Sequence, residues 1–102
     1  MFLFSRGKKE PIWKFTTPKN SSISALRFTP DGRYIGVATF WENAYIFSKD
    51  SNQPVNSWVV KNTSQGALDI ADDGSFIAVG GNDNKVHIFE RNNPMLLYIL
   101  KL

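Results

Sequence analysis

The chain has 102 residues, 42% hydrophobic and 14% aromatic, with 12 Lys plus Arg against 9 Asp plus Glu for a net charge of +3. That aromatic content excludes an intrinsically disordered segment, and the absence of cysteine excludes a disulfide framework, a thiolate metal site and a cysteine nucleophile. The positive surplus is small and scattered, unlike the basic stripe of a nucleic-acid groove, and the longest apolar run, Met95 to Leu100, is far shorter than the roughly 20 residues of a membrane-spanning helix.

The opening Phe2-Leu3-Phe4 and the following Pro11-Ile12-Trp13 read as two short strands. The apolar stretch precedes the first basic residues, the reverse of a secretory signal, so the cytoplasm is the expected compartment. Four further strands are predicted over Ile23 to Phe28, Tyr34 to Thr39, Ala44 to Ser48 and Val55 to Val60. Pro30-Asp31-Gly32 supplies the hairpin between the first two of these, because Asp caps a tight turn and Gly accepts positive φ. The same order then recurs. Ser24 to Ala38 lies over Gly66 to Gly80 at an offset of 42 residues, and the same offset carries Tyr45-Ile46-Phe47 onto His87-Ile88-Phe89. Asp72-Asp73-Gly74 repeats the hairpin turn, and Asn82-Asp83-Asn84 supplies another. No stretch sustains a 3.6-residue apolar period, so almost no helix is expected.

Four antiparallel strands repeated about every 42 residues is the arithmetic of β-propeller blades. The units Leu26 to Val37 and Gly80 to Phe89 resemble WD-repeat and quinoprotein-like propeller blades, in a divergent form common in prokaryotes, and the likeness covers essentially the whole chain. Two departures from the strict pattern stand out: the Gly-His pair before the innermost strand is missing, and Phe47-Ser48 and Phe89-Glu90 replace Trp-Asp. Asp83 sits in a turn where the aspartate of the buried tetrad of strict blades could lie. With strands lettered a to d from the centre outward, the chain reads as a half blade (c, d) in residues 1–22, a blade in 23–65 and a blade in 66–102. The fold class is therefore all-β, a propeller segment. A closed ring needs more blades, so remaining blades or other chains are expected to complete it, and a piece of a longer propeller is the favoured reading. Head-to-tail stacking of copies fails on counting, since after a final d strand the next copy supplies c.

Catalytic chemistry needs convergent groups, and the inventory is thin. The single histidine, His87, falls on a c strand at the position of Tyr45, which suits packing. Asp72, Asp73 and Asp83 belong to turns and lack calcium-loop spacing. No catalytic residue, cofactor or metal is expected. Trp13, Trp58 and Tyr98 in successive d strands, and the matched sets Phe28 with Ile70, Tyr34 with Phe76, and Phe4 with Phe47 and Phe89, are expected to pack within and between blades. The repeats disagree at the b–c tip, where Phe40-Trp41-Glu42 stands in place of Asn82-Asp83-Asn84. In propellers of the resembled families the b–c and d–a loops share one rim, so Phe40, Trp41 and Glu42, with Lys19 and Lys61 of the d–a loops, form a candidate protein-binding surface. The sequons Asn20-Ser21-Ser22 and Asn62-Thr63-Ser64 are read as unused. The expected function is a non-catalytic scaffold for protein partners, with neither membrane nor nucleic acid as partner. The alternative is a piece of a quinoprotein-like enzyme or small-ligand binder, with Arg27 and Asp69 facing the channel or paired between blades.

Overall fold

The computed structural model describes residues 1–4, 7, 9–17, 22–40, 43–60, 67–80, 85–93 and 96–101. Among the described residues ten strands form where the apolar stretches lie between turn residues: β1 (Phe2–Phe4), β2 (Pro11–Lys14), β3 (Ile23–Phe28), β4 (Tyr34–Thr39), β5 (Asn43–Ser48), β6 (Asn56–Val59), β7 (Ala67–Ile70), β8 (Phe76–Gly80), β9 (Lys85–Glu90) and β10 (Leu96–Lys101). They make three antiparallel sheets: the pair β1-β2, then β3-β4-β5-β6, then β7-β8-β9-β10. Among the described residues there is no helix. The fifth strand begins one residue earlier than the sequence suggests because Asn43 pairs with Val59. The sixth is shorter, although the Val55 N–H still donates to the Ile46 carbonyl at 2.7 Å.

Both a–b hairpins close in the same way. In the second sheet Thr29 N–H donates to Tyr34 C=O (3.0 Å) and Gly32 N–H to Thr29 C=O (2.9 Å); in the third, Ala71 and Gly74 make the equivalent bonds to Phe76 and Ala71. Gly32 and Gly74 sit at φ 73° and 74°, the left-handed region that side chains resist. The two aspartates reach the same end by different partners. Asp31 accepts the Arg33 N–H and the Thr29 hydroxyl, whereas Asp73 accepts the Ser75 N–H at 2.9 Å and the Ser75 hydroxyl at 2.6 Å. These donors favour the ionised carboxylate and lower both pKa values, led by the Arg33 N–H for Asp31 and the Ser75 hydroxyl for Asp73. Folded aspartates then bind protons more weakly than unfolded ones, so their contribution is complete above the ordinary aspartate range and is lost as pH falls through the lowered values. Melting temperature should accordingly drop on acidification below about pH 4. The double variant Asp31→Asn/Asp73→Asn should show a shallower acid limb; superimposable curves would remove this account.

The core lies between sheets rather than within one. On β4 and β5 the side chains alternate, so Ile35, Val37, Tyr45 and Phe47 pack toward Leu3, Trp13 and Phe15 of the leading segment. Ala38, Ala44 and Ile46 pack the other way, against Leu68, Ile70, Ile77, Val79 and Phe89. A sheet covered on both faces explains the continuous apolar runs of β4 and β5. The contact is large side chain into small: a Cβ on Gly36 would lie 3.0 Å from Ile77 Cδ1 and 3.2 Å from Leu68 Cδ2.

A repeated latch adds direction to this packing. Trp13 stacks on Phe47, centroids 5.4 Å apart, and its Nε1–H donates to the Lys49 carbonyl at 2.8 Å. One unit later, Trp58 stacks on Phe89 at 4.7 Å and donates to the Asn93 carbonyl at 2.9 Å. Each outer-strand tryptophan thus packs its ring against the next sheet, Trp58 buried and Trp13 half-buried, and satisfies its one donor on that sheet's outer turn. For Tyr98 the described part is its backbone, paired with Ile88, and its side chain lies outside the described set.

Two residues expected in the core are not there. Phe28 is 49% exposed and Phe76 is 43% exposed, although their counterparts Ile70 and Tyr34 are covered. The reason is positional: Phe28 belongs to the face that only the two-stranded leading pair covers, and Phe76 to the outward face of the last sheet.

Candidate functional site

At one rim the b–c tip of the second sheet meets the connection leading into β3, because the Phe40 N–H donates to the Ser22 carbonyl at 2.9 Å. Phe40 is half-buried, and Thr39 beside it is buried, its Oγ1 accepting the Asn43 N–H (3.1 Å) and donating to the Asn43 carbonyl (3.2 Å). This pins the base of the tip. Of the other candidate interface residues, Trp41, Glu42, Lys19 and Lys61 lie outside the described residues, as do Asp83 and both sequons apart from Ser22.

The opposite rim carries the a–b and c–d turns. A polar concavity of about 390 Å³ opens there, lined by Arg33, Tyr34, Ser48, Lys49 and Asp50. On this rim Tyr34 is held by the third sheet. Its ring lies against Gly74, where a Cβ would come within 2.8 Å of Tyr34 Cγ, and beneath the Arg91 guanidinium, 4.2 Å from the ring centroid. Arg91 is itself fixed by donating from Nη1 to the Asp73 carbonyl at 3.2 Å. Gly74 is therefore needed twice, for its φ and for the space it leaves. Sequence reasoning paired Tyr34 with Phe76 and missed this clamp; the signal available was an aromatic opening a b strand followed, one repeat later, by Gly and a cation.

The end sheets differ from the interior contact. The third sheet turns Ala67, Ala78, Gly80, Val86 and Ile88 outward, with shallow hollows of about 140 and 210 Å³ between them. The corresponding face of the second sheet is the one filled by Leu68, Ile70 and Ile77. His87, on the inward side of β9, lies opposite Val79, its ring near-parallel to Phe89 at 6.5 Å. Arg27 and Asp69 are exposed and form no ion pair with each other; Asp69 Oδ1 accepts the Ile70 N–H. Among the described residues no cluster of three or more His, Asp or Glu is arranged to hold a metal ion.

Residues 44–90 match the family model described as WD domain, G-beta repeat. That stretch runs from the third strand of one sheet through the third strand of the next, the five strands β5 to β9. This stretch is similar to a WD repeat. The chain is 25% identical over 95 residues to U3 small nucleolar RNA-associated protein 13 of Saccharomyces cerevisiae, covering 93% of this chain and 12% of that protein. Among solved structures, the WD40 repeats of RRP9 superpose with a TM-score of 0.61 at 22% identity, over 79% of this chain and 26% of that one. The structure of U3-55K gives 0.60 at 22% identity, over 79% and 27%. The chain thus spans about an eighth of the yeast relative and about a quarter of each solved chain. Within the matched stretch, Phe47 and Phe89 stand where the strict pattern has Trp, and each carries the stacked tryptophan of the preceding outer strand. The matched family is the WD40 one; the quinoprotein-like, prokaryotic form rests on the sequence resemblance alone.

Proposed function

We propose that this chain is a non-catalytic part of a larger WD propeller that serves as a platform for protein partners. The observation that carries the reading is the state of its two ends. Leu26 and Phe28 of β3 are 39% and 49% exposed, while Leu68 and Ile70, at the same repeat positions in β7, are 7% and 8% exposed beneath the second sheet. The same apolar residues are covered where a full neighbouring sheet exists and uncovered where it does not. Further blades supply that cover, which leaves the rims as the surfaces for partners.

On the b–c rim we assign partner contact to Phe40, Trp41 and Glu42, flanked by Lys19 and Lys61. Aromatic residues at a loop tip bury much area at low side-chain entropy cost, and the bond from Phe40 to Ser22 fixes the base of that tip. The yeast relative's name associates that protein with the U3 small nucleolar RNA. What we extend to this chain is protein partnership, since its charge of +3 supports no nucleic-acid groove. We propose the cytoplasm as its compartment, to be checked by imaging a tagged chain. Trp41→Ala should reduce capture of protein partners by the immobilised chain at least about tenfold, with the melting temperature nearly unchanged. Loss of stability with capture intact would assign Trp41 to packing instead.

A further inference from the structure

The two Asp-Gly turns are alike in sequence and in local bonding but not in surroundings. In both, the carboxylate accepts the N–H two residues on, Arg33 for Asp31 and Ser75 for Asp73. In both, the glycine N–H donates back across the turn, Gly32 to Thr29 C=O at 2.9 Å and Gly74 to Ala71 C=O at 2.8 Å. The peptide that joins Asp73 to Gly74 is held from its other side as well. Arg91 Nη1 donates to the Asp73 carbonyl at 3.2 Å, and the Tyr34 ring lies against Gly74, which is buried. The peptide that joins Asp31 to Gly32 has neither restraint. Among the described residues no donor bonds the Asp31 carbonyl, and a Cβ on Gly32 would meet nothing within 4 Å.

We infer that Asp31 is a site of spontaneous isoaspartate formation in this chain, and that the clamp of Tyr34 and Arg91 protects Asp73 from the same reaction. The chemistry needs only the chain and water. The Gly32 amide nitrogen attacks Asp31 Cγ; the new N–C bond forms as the carboxyl C–OH bond breaks, and the hydroxyl leaves as water with the amide proton. Water then adds to either carbonyl of the five-membered imide. Opening at the former main-chain carbonyl breaks its bond to the glycine nitrogen and leaves the backbone running through Cγ, which is isoaspartate. One water is lost and one regained. Glycine favours the attack because no side chain of its own shields its nitrogen. To reach Cγ the Asp–Gly peptide must rotate. At Asp31 that breaks the bond from Gly32 to Thr29; at Asp73 it must also break the bond from Arg91 and move Gly74 against the Tyr34 ring. Both carboxyls are held below the usual aspartate range by their donors, so the reactive protonated form is scarce at both turns and the backbone makes the difference. The product lengthens the turn by one methylene. It also removes the carboxylate that accepts from Thr29 and Arg33, which loosens the β3-β4 hairpin.

The full chain, aged at neutral pH and physiological temperature in heavy-oxygen water, tests this by peptide mapping. Each passage through the imide leaves one heavy oxygen in the aspartate or isoaspartate, and tryptic cleavage after Arg27 and Arg33 separates the first turn from the second. Label should enter at Asp31 at least about fivefold faster than at Asp73, the ratio set by one further hydrogen bond that must open. Arg91→Gln should speed labelling at Asp73 at least about threefold and leave Asp31 unchanged. In urea sufficient to unfold the chain, the two rates should converge to within about twofold. Equal labelling of the two turns in the folded chain, or an Arg91→Gln variant with Asp73 unchanged, would overturn the protection. A difference that persists in urea would assign it to the neighbouring residues Pro30 and Arg33 and overturn the account from the fold.

Discussion

Trp58→Ala should destabilise the chain by about 3–5 kcal/mol, the range for removing a buried large aromatic. Trp58 is 3% exposed, stacks on Phe89 at 4.7 Å and belongs to the cluster joining the second and third sheets. Its removal leaves a cavity across that joint and takes away the Nε1–H that the Asn93 carbonyl accepts at 2.9 Å. Against the roughly 5–15 kcal/mol total stability of a typical domain, this is enough to leave a substantial unfolded population. Trp58→Phe keeps a stacked ring but loses the donor and part of the indole's volume, so it should cost less than the alanine variant, about 1–2 kcal/mol. Urea titrations of both variants give the comparison. An alanine variant within about 1 kcal/mol of the parent would mean that the joint closes without the ring.

The second large effect is expected at Gly36. Its neighbours across the joint, Ile77 Cδ1 and Leu68 Cδ2, leave room for no more than a methyl, and that only if they yield by a few tenths of an ångström. Gly36→Val should therefore force the second and third sheets apart and cost about 1–3 kcal/mol, with Gly36→Ala well below it. The informative comparison is Ala78, at the same repeat position one sheet later. It lines the hollows of the outward face and has no sheet packed on it, so Ala78→Val should stay within about 0.5 kcal/mol of the parent. Equal losses at the two positions would show that strand propensity, rather than the inter-sheet contact, sets the effect.

These contrasts mark what was readable from the residues. The 42-residue offset, the Asp-Gly turns and the alternating strands were legible because they are local: a Gly at positive φ and an Asp accepting N–H groups two residues on leave direct signatures. The tryptophan latches were half legible. Recurrence of Trp13 and Trp58 in outer strands pointed to packing, but their acceptors, Lys49 and Asn93, lie about a repeat away and were found only in the fold. The b–c tip was singled out from its unrepeated aromatics, and the structure adds the bond that ties Phe40 to Ser22.

Sequence equivalence misled where position in the stack matters. Phe28 and Ile70 carry the same pattern, as do Phe76 and Tyr34, and each pair divides into one exposed and one covered member. Nothing within a repeat encodes that division. By itself the sequence determined the strand order, the turns, the period and the WD-repeat resemblance, because backbone preference and alternation act over a few residues. Only the tertiary structure decided which copies of those residues are buried, which glycine receives a ring and which stands open, because burial is a property of the neighbouring sheet and not of the repeat that carries the side chain.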